Sequence, residues 1–316
     1  MSAKKGKVVK GLGGLYEVLT EDRRERIVCR AKGVFRHADV KLLIGDNVEI
    51  EQGERNEYSV ISKILPRKNE LIRPPLSNLD MLFVVIAAAH PTPALQTIDK
   101  LIAIAEFNQI EVIPVFTKKD LEVTANYEQI YRKIGYDVFS VSSVTGEGIR
   151  ELKEYIEKKL TNGKCAAFAG ASGVGKSTLL NSLFPTLSLE TGDISRKIER
   201  GRHTTRHVEI FEVNEGESSC GFLSDTPGFS LLDFVRFDFF SLDDLLPLFR
   251  EFSGYTGDCR YSDCTHTKES DCAVLQAVQR GEIEKSRHEC YTELYDILKK
   301  KKAHSYLDKA DKIAKK

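Results

Sequence analysis

The chain has 316 residues, 41% of them apolar and 30% charged, with a formal net charge of zero, a balance that fits two or three ordinary globular domains and announces no wholesale nucleic-acid binder. Charge is nevertheless uneven, since residues 1–70 hold 15 Lys/Arg against 11 Asp/Glu, and the last twenty residues hold eight Lys and two Asp. The longest strongly apolar run, Met81–Ala89, is nine residues, short of the roughly 20 that cross a bilayer, and the charged opening has no apolar segment behind it, so neither a membrane span nor a signal peptide is expected.

Short alternating stretches fill the first part of the chain: Lys7–Lys10, Leu15–Leu19, Arg26–Gly33, Asn47–Glu51 and Ser59–Leu65, punctuated by Gly11, Gly13, Gly14, Gly45 and Gly53. No helical period is sustained there, which predicts a small all-β module of five strands closed as a barrel. Ile64–Glu70 and then Arg73-Pro74-Pro75 read as an exit linker. The period changes at Asp80. Met81–Ala89 reads as a buried strand, Leu95–Glu106 as a helix and Val112–Phe116 as a strand. Gln129–Lys133 falls near the end of a short helix, Asp137–Ser142 is a strand, Ile149–Lys159 a helix and Cys165–Ala169 a strand. Such alternation predicts a mostly parallel sheet covered by helices. Strand-like segments come next at His207–Val213 and Cys220–Ser224; from Ser241 onward the pattern is helical, apart from a polar, Cys-rich interruption at Gly254–Cys272.

The Cys165–Ala169 strand runs into Gly170, Ala171, Ser172, Gly173, Val174, Gly175, Lys176, Ser177 and Thr178. This is a glycine-rich loop opening a helix, whose amide hydrogens and helix N-terminus suit phosphate oxygens. Lys176 is assigned to the β- and γ-phosphates and the Ser177 hydroxyl to Mg²⁺. Asp225-Thr226-Pro227-Gly228 lies further on, with Asp225 placed to reach the magnesium through water and the Gly228 amide to meet the γ-phosphate. Between them lies Gly201-Arg202-His203-Thr204-Thr205-Arg206; one of Thr204 and Thr205 completes the metal shell, Thr205 being preferred. Upstream of all of these stands Thr117-Lys118-Lys119-Asp120. A carboxylate there can accept the donor edge of guanine in bidentate fashion. Asp120 takes that part, the Lys118 stem packs on the ring, and Thr117 ties this loop to the phosphate loop. Ser142-Ser143, at the next strand end, supplies an amide to the guanine O6. One guanine-nucleotide site is thus written in circularly permuted order, which leaves its geometry intact because ligands collect at the carboxyl edge of the sheet whatever order the strands arrive in. Permutation also makes the segment leaving Gly228 continue directly into the C-terminal helices.

Seven Cys show no framework spacing. Cys259, Cys264, His266 and Cys272 form C-x4-C-x-H-x5-C, three thiolates and an imidazole suited to one closed, structural Zn²⁺ site. Reduced thiols of this kind point to the cytoplasm.

The permuted motifs and the Cys/His spacing, with Gly13–Tyr16, Gly45–Val48, Ile64–Leu71, Arg202–Thr205 and Cys259–Cys264, resemble the RsgA-type family of circularly permuted, ribosome small-subunit-dependent GTPases. The resemblance covers nearly the whole chain. It implies an N-terminal OB-fold RNA-binding domain over 1–72, a permuted GTPase domain over 73–238 and a helical zinc-binding domain over 239–316. It further implies a monomeric cytoplasmic protein, with no membrane partner, that binds the 30S subunit and its 16S rRNA in late maturation and hydrolyses GTP when stimulated by that subunit. Phe229 stands where many GTPases place a water-orienting Gln; by resemblance His203 orients the attacking water, alongside Lys176 as the second catalytic group. Two departures stand out: Thr117 replaces the Asn usual in GTPases, and Ser270-Asp271 replaces a frequent Pro-Gly before the last Cys, which puts local loop shape in question. Alternative readings are a nucleotide-gated RNA-binding assembly switch with negligible turnover, and a GTPase serving another RNA assembly or a membrane carrier.

Overall fold

In the computed structural model, residues 4–22, 25–33, 35, 40–53, 58–72, 75–187, 209–213, 221–225, 234 and 236–314 are described, with backbone alone at 225 and 304–314. Five strands, β1 (Lys4–Leu12), β2 (Leu15–Thr20), β3 (Arg26–Ala31), β4 (Asn47–Glu51) and β5 (Ser59–Ile64), pair in the order β1-β2-β3-β5-β4, and β4 returns to β1. That return closes the expected barrel and leaves no open edge to manage. Val8, Val18, Cys29, Val48, Ile50 and Ile61, from alternate strand positions, fill its interior.

The segment expected as an exit linker is instead a folded joint. It carries two short strands, β6 (Glu70–Leu71) and β7 (Leu76–Ser77), paired antiparallel. Its polar side chains explain why it holds. Asp46 is fully buried; one carboxylate oxygen accepts from Arg67 Nε and Ser77 Oγ, each at 2.7 Å, and the other from the Leu43 amide and Arg67 Nη2, each at 2.8 Å. Gly45 has φ +95°, and a Cβ there would lie 2.2 Å from the Ser77 carbonyl oxygen, so only glycine fits.

Beyond the joint come β8 (Met81–Ala87), α1 (Leu95–Phe107), β9 (Glu111–Thr117), α2 (Ala125–Ile134), β10 (Phe139–Ser140), α3 (Ile149–Lys159), β11 (Cys165–Ala169), α4 (Lys176–Leu183), β12 (Glu209–Val213) and β13 (Gly221–Asp225). The order across the sheet is β10-β9-β8-β11-β13-β12. All but β12 run parallel, so their carboxyl ends meet along one edge. Continuous burial of β8 and β11 matches their unbroken apolar sequences, as in strands covered on both faces. Leu82, Val84 and Ile86 face the helix carrying Ile98, Leu101 and Ile102, whereas Met81, Phe83 and Val85 face Leu152, Ile156, Leu179 and Leu183. Phe83 and Phe168 stack there with centroids 4.7 Å apart; burying each ring contributes about 2–3 kcal/mol.

Two expectations are corrected. Asp137–Ser142 is a strand only at Phe139–Ser140, because the Val138 carbonyl is taken by Arg132 Nη2 at 2.6 Å and the Ser142 amide by Glu147 at 2.9 Å. The stretch after Ser241 is not α-helical either. It makes two single 3₁₀ turns, Leu246–Leu248 and Arg250–Phe252, since Pro247 withholds a backbone donor and Phe249 turns extended to bury its ring. True helix resumes at α5 (Ala273–Gln279) and α6 (Lys285–Ala314).

Candidate functional site

Four parallel strands deliver the expected nucleotide groups to the carboxyl edge. At the end of β11, Gly170 passes so close to β8 that a Cβ would sit 2.3 Å from the Val85 carbonyl oxygen. The loop then turns into α4, whose first residue, Lys176, is 8% exposed. Its ammonium donates to the carbonyls of Gly170 and Ala171, each at 2.9 Å. Lysine thus braces the loop whose amides surround it, and an arriving polyphosphate can exchange those neutral acceptors for charged ones. Ser172, Gly173 and Thr178 are exposed, Ala171 and Ser177 are half-buried, and Val174 is buried beneath them.

The base-reading loop is strapped to this cradle. Thr117, 3% exposed, donates through Oγ1 to the Val174 carbonyl at 2.6 Å, the tether expected of it in place of Asn. Lys118 Nζ donates to the Gly173 carbonyl at 3.0 Å and to that of His90. Asp120 is exposed, with one carboxylate oxygen accepting from Ser142 Oγ at 2.5 Å. The same buried hydroxyl oxygen accepts the amides of Val144 and Thr145 at 3.2 and 3.1 Å, so it fixes both the carboxylate and the turn after Ser143. Lys119 and Glu147 close this arrangement with a 2.6 Å ion pair. Sequence reasoning assigns Ser142 only a backbone role and misses its hydroxyl as an organiser, because a serine at a strand end gives no sign of the carboxylate it will meet.

Asp225 ends β13, its backbone paired with Phe168 on one side and Glu209 on the other. His203, Thr204, Thr205 and Gly228 lie outside the described residues.

Cys259, Cys264, His266 and Cys272 come together with all four ligand atoms within 4.8 Å of one another. Sγ of Cys259 and of Cys272 are 3.9 Å apart, and each is 3.5 Å from His266 Nδ1. A tetrahedral zinc with ordinary bond lengths requires edges of about 3.8 Å between sulfurs and about 3.6 Å from sulfur to nitrogen. The donor set and spacing fit that metal, which would bind here as a closed, non-catalytic ion. Burial pushes the Cys264 thiol up, with Cys272 and Cys259 adding to it. Supporting bonds shape the loop: His288 Nε2 donates to the His266 carbonyl at 2.7 Å and Tyr291 to that of Thr265 at 3.0 Å. Burial would raise the Glu269 carboxyl, but bonds from the Thr265 hydroxyl and nearby amides outweigh it and hold the group at about 2. Asp271 takes the left-handed conformation, φ +59°, that a glycine would adopt freely, and Asp is among the few side chains that tolerate it. Its carboxylate pairs with Arg260 at 3.0 Å.

A second buried constellation was not anticipated. Arg287 of α6 is 1% exposed and spans two carboxylates: Nη1 lies 3.0 Å from Asp99 of α1, and Nε lies 2.6 Å from Glu251. Tyr131 of α2 donates to the same Asp99 oxygen at 3.1 Å. Burial opposes the charge on Arg287, yet Asp99 and Glu251 overcome it and raise its pKa. This clasp pins the C-terminal helices to the helical layer beside the base-reading loop.

The family described as RsgA N-terminal domain matches residues 5–61, RsgA GTPase matches 64–235, and 50S ribosome-binding GTPase matches 165–307. A protein of Caldanaerobacter subterraneus subsp. tengcongensis named Small ribosomal subunit biogenesis GTPase RsgA is 40% identical over 304 residues, covering 95% of this chain and 98% of the relative. One of the same name from Bacillus velezensis is 40% identical, covering 94% and 98%. The crystal structure of YjeQ from Thermotoga maritima superimposes with a TM-score of 0.76 at 34% identity, covering 94% of this chain and 99% of that one. YloQ, described as a circularly permuted GTPase, gives 0.72 at 34% identity over 95% and 96%. With family models matching residues 5–61 and 64–235 and relatives at 40% identity covering nearly the full length, the chain belongs to the RsgA GTPase family.

Proposed function

We propose that this GTPase acts on the small ribosomal subunit, binding its 16S rRNA and hydrolysing GTP as a checkpoint in late maturation. The observation that carries the reading is the strap from Thr117 and Lys118 onto the phosphate loop, which unites two motifs written in permuted order; relatives named for small ribosomal subunit biogenesis support the partner. In this reading the chain divides into an RNA-binding barrel over 1–72, the GTPase over 73–238 and a zinc-stabilised helical domain over 239–316. A cytoplasmic, monomeric protein fits this role, and among the described residues no helix is long and apolar enough to cross a membrane.

In this reading Asp120 accepts the N1 and N2 hydrogens of guanine, the Ser142–Ser143 backbone meets O6, and the amides of Gly170–Thr178 surround the phosphates. Lys176 leaves its two carbonyl acceptors for the β- and γ-oxygens, where its charge stabilises the transition state more than the ground state. Magnesium, when bound, neutralises charge on the same oxygens; Ser177, Asp225 and Thr205, or Thr204 in its place, are the residues to hold it. Gly228 senses the γ-phosphate. Phe229 carries no group that can orient water, and the family resemblance gives that task to His203. Cys259, Cys264, His266 and Cys272 hold one structural zinc.

The test is GTP turnover by the purified protein alone and with washed 30S subunits, against 50S subunits and naked RNA. Stimulation confined to 30S is expected. Equal stimulation by unrelated RNA would move the function to another assembly, and no turnover with any partner, despite GTP binding, would leave a passive nucleotide-gated switch.

A further inference from the structure

Strand β1 belongs to two bodies at once. Lys4–Lys7 pair with Asn47–Ile50 of β4 and close the barrel. The register against β2 then shifts between Val8 and Lys10. An extra residue of this kind bends a strand and re-aims the residues after it, and beyond it Lys10 pairs with Glu209 of β12. The rung continues, because Glu209 pairs with Asp225 of β13. Lys10, Glu209 and Asp225 therefore lie abreast on three neighbouring strands, at steps of roughly 4.8 Å.

Side chains reinforce the seam. The Lys10 ammonium is 2.9 Å from the Glu209 carboxylate, both groups being half-buried, and Arg26 of β3 lies 3.7 Å from Glu212. Lys7 of β1 reaches over the Phe222 ring of β13 at 5.6 Å. The barrel thereby touches both strands that flank the expected switches. β12 begins just after Gly201–Arg206, and β13 ends at the first residue of the Asp225–Gly228 motif.

The barrel's two attachments differ in kind. At the joint, Asp46 is fully buried and accepts four hydrogen bonds, so that end is a fixed pivot. Among the described residues the seam is a single backbone rung backed by two partly exposed ion pairs and by Lys7 over Phe222, contacts of the weak, solvent-screened kind that can open and close. We propose that the Lys10–Glu209 rung couples the barrel to the nucleotide: closed, it holds β12 and, through the Glu209–Asp225 pair, the end of β13 against the barrel; open, it releases them. This rests on the reading of the protein as a subunit-activated GTPase. A partner bound to the barrel biases the rung, and by reciprocity the nucleotide sets the barrel's affinity for that partner. Lys10 and Glu209 act as positioning residues, since neither belongs to the nucleotide cradle.

The test compares 30S affinity, by co-sedimentation, with a non-hydrolysable GTP analogue and with GDP bound to the full chain. Lys10→Glu is expected to compress the ratio of the two affinities by about threefold to fivefold, the scale of a half-exposed ion pair, while analogue binding to the free protein stays within about twofold of wild type. The double exchange Lys10→Glu with Glu209→Lys is expected to restore the ratio, and Lys10→Gln to give an intermediate value with less risk to folding. An unchanged ratio in Lys10→Glu overturns the coupling, as does a loss that the exchange fails to restore, which would mean that Lys10 meets RNA directly. A wild-type ratio of one overturns it too. Absence of turnover with 30S would sink the hydrolytic function while leaving these affinities readable.

Discussion

Two polar junctions flank the central sheet, and they solve the same problem differently. On the barrel side, one guanidinium meets one buried carboxylate and one exposed one: Arg67 holds Asp46, 21 residues away, and also pairs with Glu70 at the surface, while every lone pair that Asp46 turns inward finds a donor. On the helical side, one guanidinium meets two carboxylates, and Asp99 and Arg287 are 188 residues apart. There the second Asp99 oxygen is buried with no hydrogen-bond partner among the described residues. Burial accordingly raises the Asp99 carboxyl even though Arg287 pulls it down. At the first junction the surplus carboxylate, Glu70, lies in solvent, so the buried charges balance and fix an angle. The second carries an excess negative charge and depends wholly on its single cation.

That difference predicts the most damaging change. Arg287→Ala leaves Asp99 and Glu251 buried without their cation and is expected to cost about 3–5 kcal/mol in denaturant unfolding; a loss below about 1 kcal/mol would mean the carboxylates are neutralised by protons and the clasp is not ionic. The same substitution on the two buried aspartates sharpens the contrast. Asp46→Asn turns an amide nitrogen toward the Leu43 amide or the Arg67 guanidinium and should cost about 3 kcal/mol. Asp99→Asn can place its nitrogen where no donor stands, so the expected cost is nearer about 1 kcal/mol. Equal losses at the two sites would erase the distinction between a balanced and an overcharged junction. The smallest effect belongs to the rim of the helical interface, where Lys100 and Glu293 pair at 2.6 Å with the glutamate 40% exposed. Lys100→Met should cost at most about 1 kcal/mol, and a larger loss would show that the rim, rather than Arg287, holds the domain.

Legibility in the sequence divides along similar lines. Gly170, Lys176, Thr117 and Asp120 can be read directly, because phosphate and guanine each require particular groups at strand ends, and those groups are contiguous in the chain. The Cys/His cage is readable for the same reason: four soft donors fall within fourteen residues, Cys259–Cys272. Arg287 gives no such signal. It sits among Lys285, His288 and Glu289, a pattern shared with any solvated helix face, and its burial arises only when α6 docks on α1. The joint passes for a linker because Pro66, Arg67, Lys68 and Asn69 have the composition of a loop; their hydrogen-bond partners, at Asp46, Asn78 and Leu79, come from flanking segments. Helical periodicity after Ser241 misleads in turn, since it records which residues are buried and not whether Pro247 permits the backbone to coil.

The sequence by itself determined most of the longer strands, the permuted nucleotide motifs and the metal-ligand spacing, since these are set by local periodicity and by chemistry confined to short stretches. Tertiary structure alone decided that Arg67 anchors a buried carboxylate, that Arg287 is itself buried between two, and that Lys10 reaches Glu209. A charged side chain reveals its role only through the partner it meets, and that partner is chosen by how distant elements pack.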